Sequence, residues 1–258
     1  GPVKPVVAVL GSGSWGTALA VHLARTGHRT VLWGIETDEL TSMARNRVNS
    51  RYLPGIELPD GLEIEHDFAR AVTVANELLV VVPSHAFREV LERIRPLLRA
   101  GQGVAWATKG FELSTGKLPH DVAAEVLGPT VPTAVLSGPT FAKEVGAGLP
   151  SAMTVASRDG EYAMALARSI SSETFRAYAS DDMIGVEVGG AVARPAGQGR
   201  GRGDAGCCAG GSLCQRWARV QPPDRRLSTG AAKARRDGLG DHQGPVAVLA
   251  DGPAQGGR

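Results

Sequence analysis

The sequence predicts an α/β fold, a doubly wound parallel sheet over residues 1–192, followed by a largely disordered tail over 193–258. Three observations carry this. Val6–Leu10 is a continuous apolar run, the pattern of a parallel strand buried on both faces. A glycine-rich turn follows it at once and leads into apolar residues at helical spacing. Strand-like and helix-like segments then alternate to about Gly190, where the pattern stops.

In chain order, Thr17–Arg25 reads as the first helix, with Leu19 and Leu23 spaced along one face among Ala18, Ala20 and Ala24. Thr30–Trp33 is a second strand, and Leu78–Val82 is another buried one. An amphipathic helix carries Val90, Leu91, Ile94 and Leu97. Val104–Thr108 and Ala134–Ser137 are further strands, and Asp121–Leu127 between them is helical.

After Val192 the composition changes. Residues 193–258 are rich in Gly, Arg, Ala, Pro, Asp and Gln, and runs such as Gly197–Asp204 offer no apolar face. Only Val246–Leu249 is apolar. Such a segment buries too little surface to offset chain entropy and is expected to be disordered. Three readings of it stand: a natural linker, an Arg-Gly tail that contacts RNA, and a reading-frame error in a GC-rich gene. A single aromatic, Trp217, and acids among the arginines weigh against the second.

The formal net charge of +2 calls for neither nucleic acid nor a membrane surface as partner. No apolar run reaches the roughly 18 residues needed to span a bilayer. The first residues, Gly1–Pro5, do not form a signal peptide, so a cytoplasmic setting is expected; the absent initiator Met points to processing or to a fragment. Cys207, Cys208 and Cys214 match no common zinc spacing, and no metal is expected.

Gly11-Ser12-Gly13-Ser14-Trp15-Gly16 is a G-x-G-x-x-G between a buried strand and a helix, the context in which that pattern marks a Rossmann-type dinucleotide site. Gly11 permits the tight turn, Gly13 lets the backbone approach a pyrophosphate, and Gly16 lets helix and strand pack closely. The helix N-terminus adds free N–H groups and partial positive charge. The adenine-ribose reader is expected about 20 residues further on, after Trp33-Gly34. Glu36 reads either as an acceptor for the ribose 2′-hydroxyl or as a solvated loop charge.

These residues resemble a family. The turn with its continuation, Gly11–Ala20, is similar to the cofactor loop of the bacterial NAD(P)-dependent glycerol-3-phosphate dehydrogenases. Five further motifs follow in the family's order: Val31–Gly34, Tyr52–Gly55, Val81–His85, Ala107–Gly110 and Ser137–Glu144. The resemblance implies reduction of dihydroxyacetone phosphate to sn-glycerol 3-phosphate with NAD(H) or NADP(H), for glycerophospholipid synthesis, and it allows a homodimer. It implies that Ser14, Trp15, Ile35, Lys109 and Ala142 contact the cofactor, and that Lys109, Gly138 and Thr140 contact the substrate. An ammonium at Lys109 suits the charge that develops on a carbonyl oxygen during hydride transfer. Members often carry Arg or His where Ile35 stands, and isoleucine cannot meet a 2′-phosphate. His85 reads as a polar contact or a cap of the helix after it, and Lys143 with Glu144 as an ion pair at a helix start.

The sequence also departs from the family. After Gly189-Gly190-Ala191-Val192 the family has its acid/base lysine, where this chain has Ala193 and then Arg194. Alanine carries no proton, and arginine stays charged. The family's all-α second domain is replaced by the tail. Trp217–Gln221 can be encoded so that a one-nucleotide shift reads Gly-Leu-Gly-Phe-Asn, which resembles a segment of that domain and favours the frame-error reading. The chain as it stands is therefore expected to lack dehydrogenase turnover. The alternatives are a related β-hydroxyacid-type dehydrogenase, a cofactor-binding remnant, or a module with a nucleic-acid-binding tail.

Overall fold

The computed structural model describes residues 4–138 and 141–192. The expectations for Thr140, Ala193, Arg194, the three cysteines and the tail lie outside the described residues.

The chain runs β1 (Val7–Leu10), α1 (Ser14–Arg25), β2 (Thr30–Trp33), α2 (Thr37–Asn46), a hairpin of β3 (Val48–Asn49) and β4 (Leu53–Glu57), β5 (Leu62–Ile64) and α3 (Phe68–Val74). It continues with β6 (Glu77–Val80), α4 (Ser84–Ile94), β7 (Gly103–Trp106), α5 (Pro119–Leu127), β8 (Thr133–Ser137) and α6 (Ala142–Gly146). Then come β9 (Ser151–Ala156), α7 (Gly160–Ile170), β10 (Phe175–Ser180) and α8 (Met183–Val192). Eight strands form one sheet in the order β10-β9-β8-β7-β6-β1-β2-β5. Every neighbouring pair is parallel except β8 and β9. The chain leaves β1 toward one side of the sheet and resumes at β6 on the other. The crevice between the ends of β1 and β6 is therefore the switch point at which open α/β sheets bind ligands.

Both faces of the central strands are buried, which is why β1 and β7 read as unbroken apolar runs. Val7 and Val9 face a core shared with α1 and α7, while Ala8 and Leu10 face one shared with α3, α4, α5 and α8. In α4 the apolar positions Phe87, Val90, Leu91 and Ile94 are all buried. A fully buried side chain such as Leu91 contributes roughly 1.5–3 kcal/mol relative to exposure. The helix stops at Ile94 rather than reaching Leu97, because Pro96 has no N–H to continue it and the chain tightens into a 3-10 turn over Arg95–Leu97. Asp67 and Asp159 cap α3 and α7, each accepting two backbone N–H bonds in the first turn.

The antiparallel β8–β9 pair has a topological consequence. Strand β10 runs with β9, so it ends at the edge of the sheet opposite the switch point. Helix α8 then climbs back to the ligand-bearing edge, where a Cβ on Gly190 would lie 2.7 Å from the Ser137 hydroxyl. Deeper in, Glu187 of α8 is 5% exposed. Its Oε1 accepts from Trp106 Nε1 at 2.8 Å, and its Oε2 meets the His120 backbone N–H and imidazole Nδ1. One carboxylate thus ties α8 and α5 to the strand that leads to Lys109. Among the described residues, no helix is long and apolar enough to cross a membrane.

Candidate cofactor site

The turn after β1 is built around its glycines. Gly11 has φ +128°, and a Cβ there would sit 2.0 Å from the carbonyl oxygen of Val81, just past β6. At Gly16 a Cβ would lie 1.8 Å from the Gly11 carbonyl oxygen. These two glycines let the helix start, the turn and the end of β6 come together. Gly13 differs, since a Cβ there would meet nothing within 4 Å. Its backbone, at φ −67° and ψ −174°, is open to any residue. The fold therefore leaves space in front of Gly13 without needing a glycine to make it, and that is the space a pyrophosphate requires.

Gly13 is the N-cap of α1, and no side chain caps that helix. The first bond from the helix back to its cap runs from the Thr17 N–H to the Gly13 carbonyl, at 3.0 Å. The N–H groups of Ser14, Trp15 and Gly16 thus precede the helical ladder and face the open space with the positive end of the dipole. No acid lies in the first turn to compete for them. Ser14 is exposed and Trp15 half-buried. The turn fits a dinucleotide phosphate by shape and by charge.

A brace that sequence reasoning missed holds this turn. Asn49 is fully buried, and its amide donates to the Ser12 carbonyl at 2.9 Å and to the Thr17 hydroxyl at 2.8 Å. Its Oδ1 accepts the Tyr52 N–H at 3.1 Å. Gly34, at the end of β2, packs so closely that a Cβ would lie 1.9 Å from the Ser12 hydroxyl. Beyond it, Ile35 is 78% exposed. Glu36 is engaged rather than loosely solvated, accepting from the Tyr52 phenol and from Arg51. On the other side of Ile35, a cleft of about 520 Å³ opens between β2 and the start of α3, its lining including Trp33, His66, Phe68 and Arg93. The Arg93 guanidinium lies 4.0 Å from the Phe68 ring centre and 5.2 Å from that of Trp33.

The remaining sequence-derived positions cluster at the same edge of the sheet. Lys109 follows β7, and Thr108 beside it donates to the Val82 carbonyl at 2.8 Å, joining the ends of β7 and β6. Solvent reaches Lys109, yet protein around the ammonium removes part of its hydration and lowers its pKa from the ordinary lysine value. Gly138 follows β8, where a Cβ would lie 2.7 Å from the Ala152 carbonyl oxygen. The close passage of β9 is thus a sufficient reason for a glycine at that position. Ala142 opens α6, and Lys143 and Glu144 are exposed in its first turn. His85 is exposed in the first turn of α4, whose N-cap is Pro83. Among the described residues, no three or more His, Cys, Asp or Glu side chains gather where they could hold a metal ion.

Lys109 offers a direct check of its surroundings. A lowered pKa leaves more free amine at a given pH, and only the free amine acylates. Near pH 8, Lys109 is expected to acetylate faster than a lysine in a short, fully solvated peptide. Peptide mass spectrometry after brief labelling reads this, and equal rates would place Lys109 in open water.

A family model described as the NAD-dependent glycerol-3-phosphate dehydrogenase N-terminus matches residues 6–163. The chain belongs to this family. Glycerol-3-phosphate dehydrogenase (NAD(P)+) from Xanthomonas euvesicatoria pv. vesicatoria is 55% identical over 186 residues, covering 72% of this chain and 54% of the relative. The corresponding protein of Stenotrophomonas maltophilia strain R551-3 is 54% identical over the same coverage. Among solved structures, glycerol-3-phosphate dehydrogenase from Coxiella burnetii superposes with a TM-score of 0.70 at 44% identity, covering 73% of this chain and 57% of that one. This member of the family thus spans about half the length of the curated relatives it matches.

Proposed function

We propose that residues 4–192 hold a nicotinamide dinucleotide and present it for reversible reduction of dihydroxyacetone phosphate to sn-glycerol 3-phosphate. The observation that carries this reading is the open space at Gly13 in front of an uncapped α1, at the switch point of the sheet. The N–H groups of the α1 first turn would bind the pyrophosphate. The exposed Ile35 and the cleft beside it would receive the adenine end. When bound, the reduced nicotinamide supplies a hydride to the carbonyl carbon. Lys109, at the end of β7, would stabilise the negative charge that then gathers on the carbonyl oxygen. Backbone N–H at Gly138 and the hydroxyl of Thr140 would serve as substrate donors. A cytoplasmic setting, a homodimer and a purely small-molecule substrate belong to the same reading.

Completing the alcohol needs a proton, and position 193 carries alanine where the family resemblance implies an acid/base lysine. The chain as it stands is expected to bind cofactor without measurable dihydroxyacetone phosphate-dependent oxidation of NADH or NADPH. A version with the second half restored from a relative is expected to turn over. In that version, Lys109→Ala should lower kcat/KM by on the order of a hundredfold or more. Steady-state rates within about a factor of two of the restored parent would remove Lys109 from the site.

A further inference from the structure

We propose that Arg88 and Glu112 are positioning residues for Lys109, a charged clasp that holds the loop after β7 against the start of α4 and so fixes the backbone from which the ammonium reaches out. The inference rests on the cofactor reading above and deepens it. A lysine side chain is long and flexible. Its ammonium meets a carbonyl oxygen in one productive geometry only if the chain beneath it is held.

Three contacts lay this loop along the β6–α4 segment. Thr108 Oγ1 donates to the Val82 carbonyl at 2.8 Å. At Gly110, where φ is +94°, a Cβ would come within 3.9 Å of the Ser84 hydroxyl. Arg88 then grips Glu112 with two bonds, Nε to Oε2 at 2.8 Å and Nη2 to Oε1 at 2.9 Å. Thr108, Gly110 and Glu112 thus follow Val82, Ser84 and Arg88 in step. Lys109, Gly110 and Phe111 are suspended between the two hydrogen-bonded ties, and so short a span has little reach while both hold. The partial loss of hydration at the Lys109 ammonium fits a loop kept close to the fold.

The clasp is more than a surface ion pair. Arg88 and Glu112 are both half-buried, and a two-bond guanidinium–carboxylate pair fixes direction as well as distance. Glu112 also accepts the Thr115 hydroxyl at 2.6 Å. Its N–H donates to the Lys117 carbonyl at 2.9 Å, and its own carbonyl accepts from the Gly116 N–H at 2.7 Å. The far end of the loop therefore folds back on this one residue. The bonds from Arg88, and then from Thr115, hold the Glu112 carboxyl down to about 2, so the clasp stays ionised wherever a lysine can be acylated. Arg88 Nη2 continues to Glu125 of α5 at 2.9 Å, and Glu125 also takes the Lys117 ammonium. That second link staples α4 to α5. It does not need Arg88 to reach the loop that carries Lys109.

The test is timed acetylation of Lys109 in the full chain across pH, with and without NADH, read by peptide mass spectrometry. In the parent, saturating NADH is expected to slow Lys109 labelling at least about fivefold by covering it. Glu112→Gln and Arg88→Met each open the clasp and leave the glycine turn untouched. Both should bind NADH within about threefold of the parent, yet NADH should slow Lys109 by less than about twofold. The two variants remove opposite charges. Charge acting through space would move the pH midpoint of Lys109 labelling down in Glu112→Gln and up in Arg88→Met, whereas release of the loop into water raises it in both. Glu125→Gln cuts only the tie to α5 and should keep the parent's protection and midpoint. Opposite midpoint shifts, full protection in either clasp variant, or the same loss of protection in Glu125→Gln would overturn the inference. NADH that binds the parent without slowing Lys109 would instead remove Lys109 from the cofactor site, and this inference with it.

Discussion

Gly13→Leu is expected to weaken NADH binding by about a hundredfold or more, roughly 2.7 kcal/mol, while the chain stays folded. The two effects separate because of where the space lies. A side chain at position 13 meets no protein atom as it leaves the backbone, and φ −67° suits leucine. The cost to the fold is the poorer N-cap, about 1 kcal/mol or less. The same side chain fills the volume through which a pyrophosphate would reach the N–H groups of Ser14 and Trp15. Charge-assisted hydrogen bonds of that kind are worth about 1.5–3 kcal/mol each, so losing the approach outweighs the cap. Gly11→Ala and Gly16→Ala behave differently, because their new methyl groups would lie 2.0 Å and 1.8 Å from carbonyl oxygens. Those variants should lose thermal stability first and cofactor affinity as a consequence. Calorimetry with NADH, paired with thermal melts of all three variants, separates the cases. Gly13→Leu that binds NADH like the parent would mean that this turn is not the cofactor site.

Glu187→Ala is expected to destabilise the chain by about 3–5 kcal/mol, the usual cost of breaking a buried, hydrogen-bonded polar cluster from one side. Alanine would leave Trp106 Nε1, on a side chain with no solvent exposure, without its acceptor, and would strip His120 of its partner. Burial raises the Glu187 pKa, and hydrogen bonds from His120 and Trp106 oppose that shift. Glu187→Gln keeps the shape and an acceptor for Trp106 and should lose less than half as much as alanine. Urea unfolding of parent and variants reads both values. Alanine and glutamine variants within about 1 kcal/mol of the parent would show that α8 is held by its apolar face alone.

The central sheet was legible because its strands are buried on both faces, and such strands cannot hide in a sequence. Phe175–Ser180 was not legible. It is an edge strand whose outward positions, Arg176 among them, are free to be polar, so it lacks an unbroken apolar run. Leu62–Ile64 is too short for either periodicity to register. The glycine turn was legible because Gly11 and Gly16 answer to contacts within the turn and with the neighbouring strand. Asn49 was not, since its partners are Ser12 and Thr17 and nothing in Val48–Arg51 announces a contact so distant in the chain. Glu187 left one trace, a lone acid in the otherwise apolar helix Met183–Val192. An isolated charge of that kind asks where its partners are, but only the fold can name Trp106 and His120.

Helix α8 also fixes a point of attachment. Glu187 clamps it to the strand that leads to Lys109, and Gly190 seats its end against Ser137 at the ligand-bearing edge. Anything joined to the chain after Val192 starts its path at that edge. For a short flexible tether, the local concentration of an attached group is in the millimolar range, far above what the same group reaches when added as a separate molecule. A chimera spliced at this point would therefore deliver a foreign acid, base or specificity loop to the cofactor by covalent proximity, with no new binding surface to design.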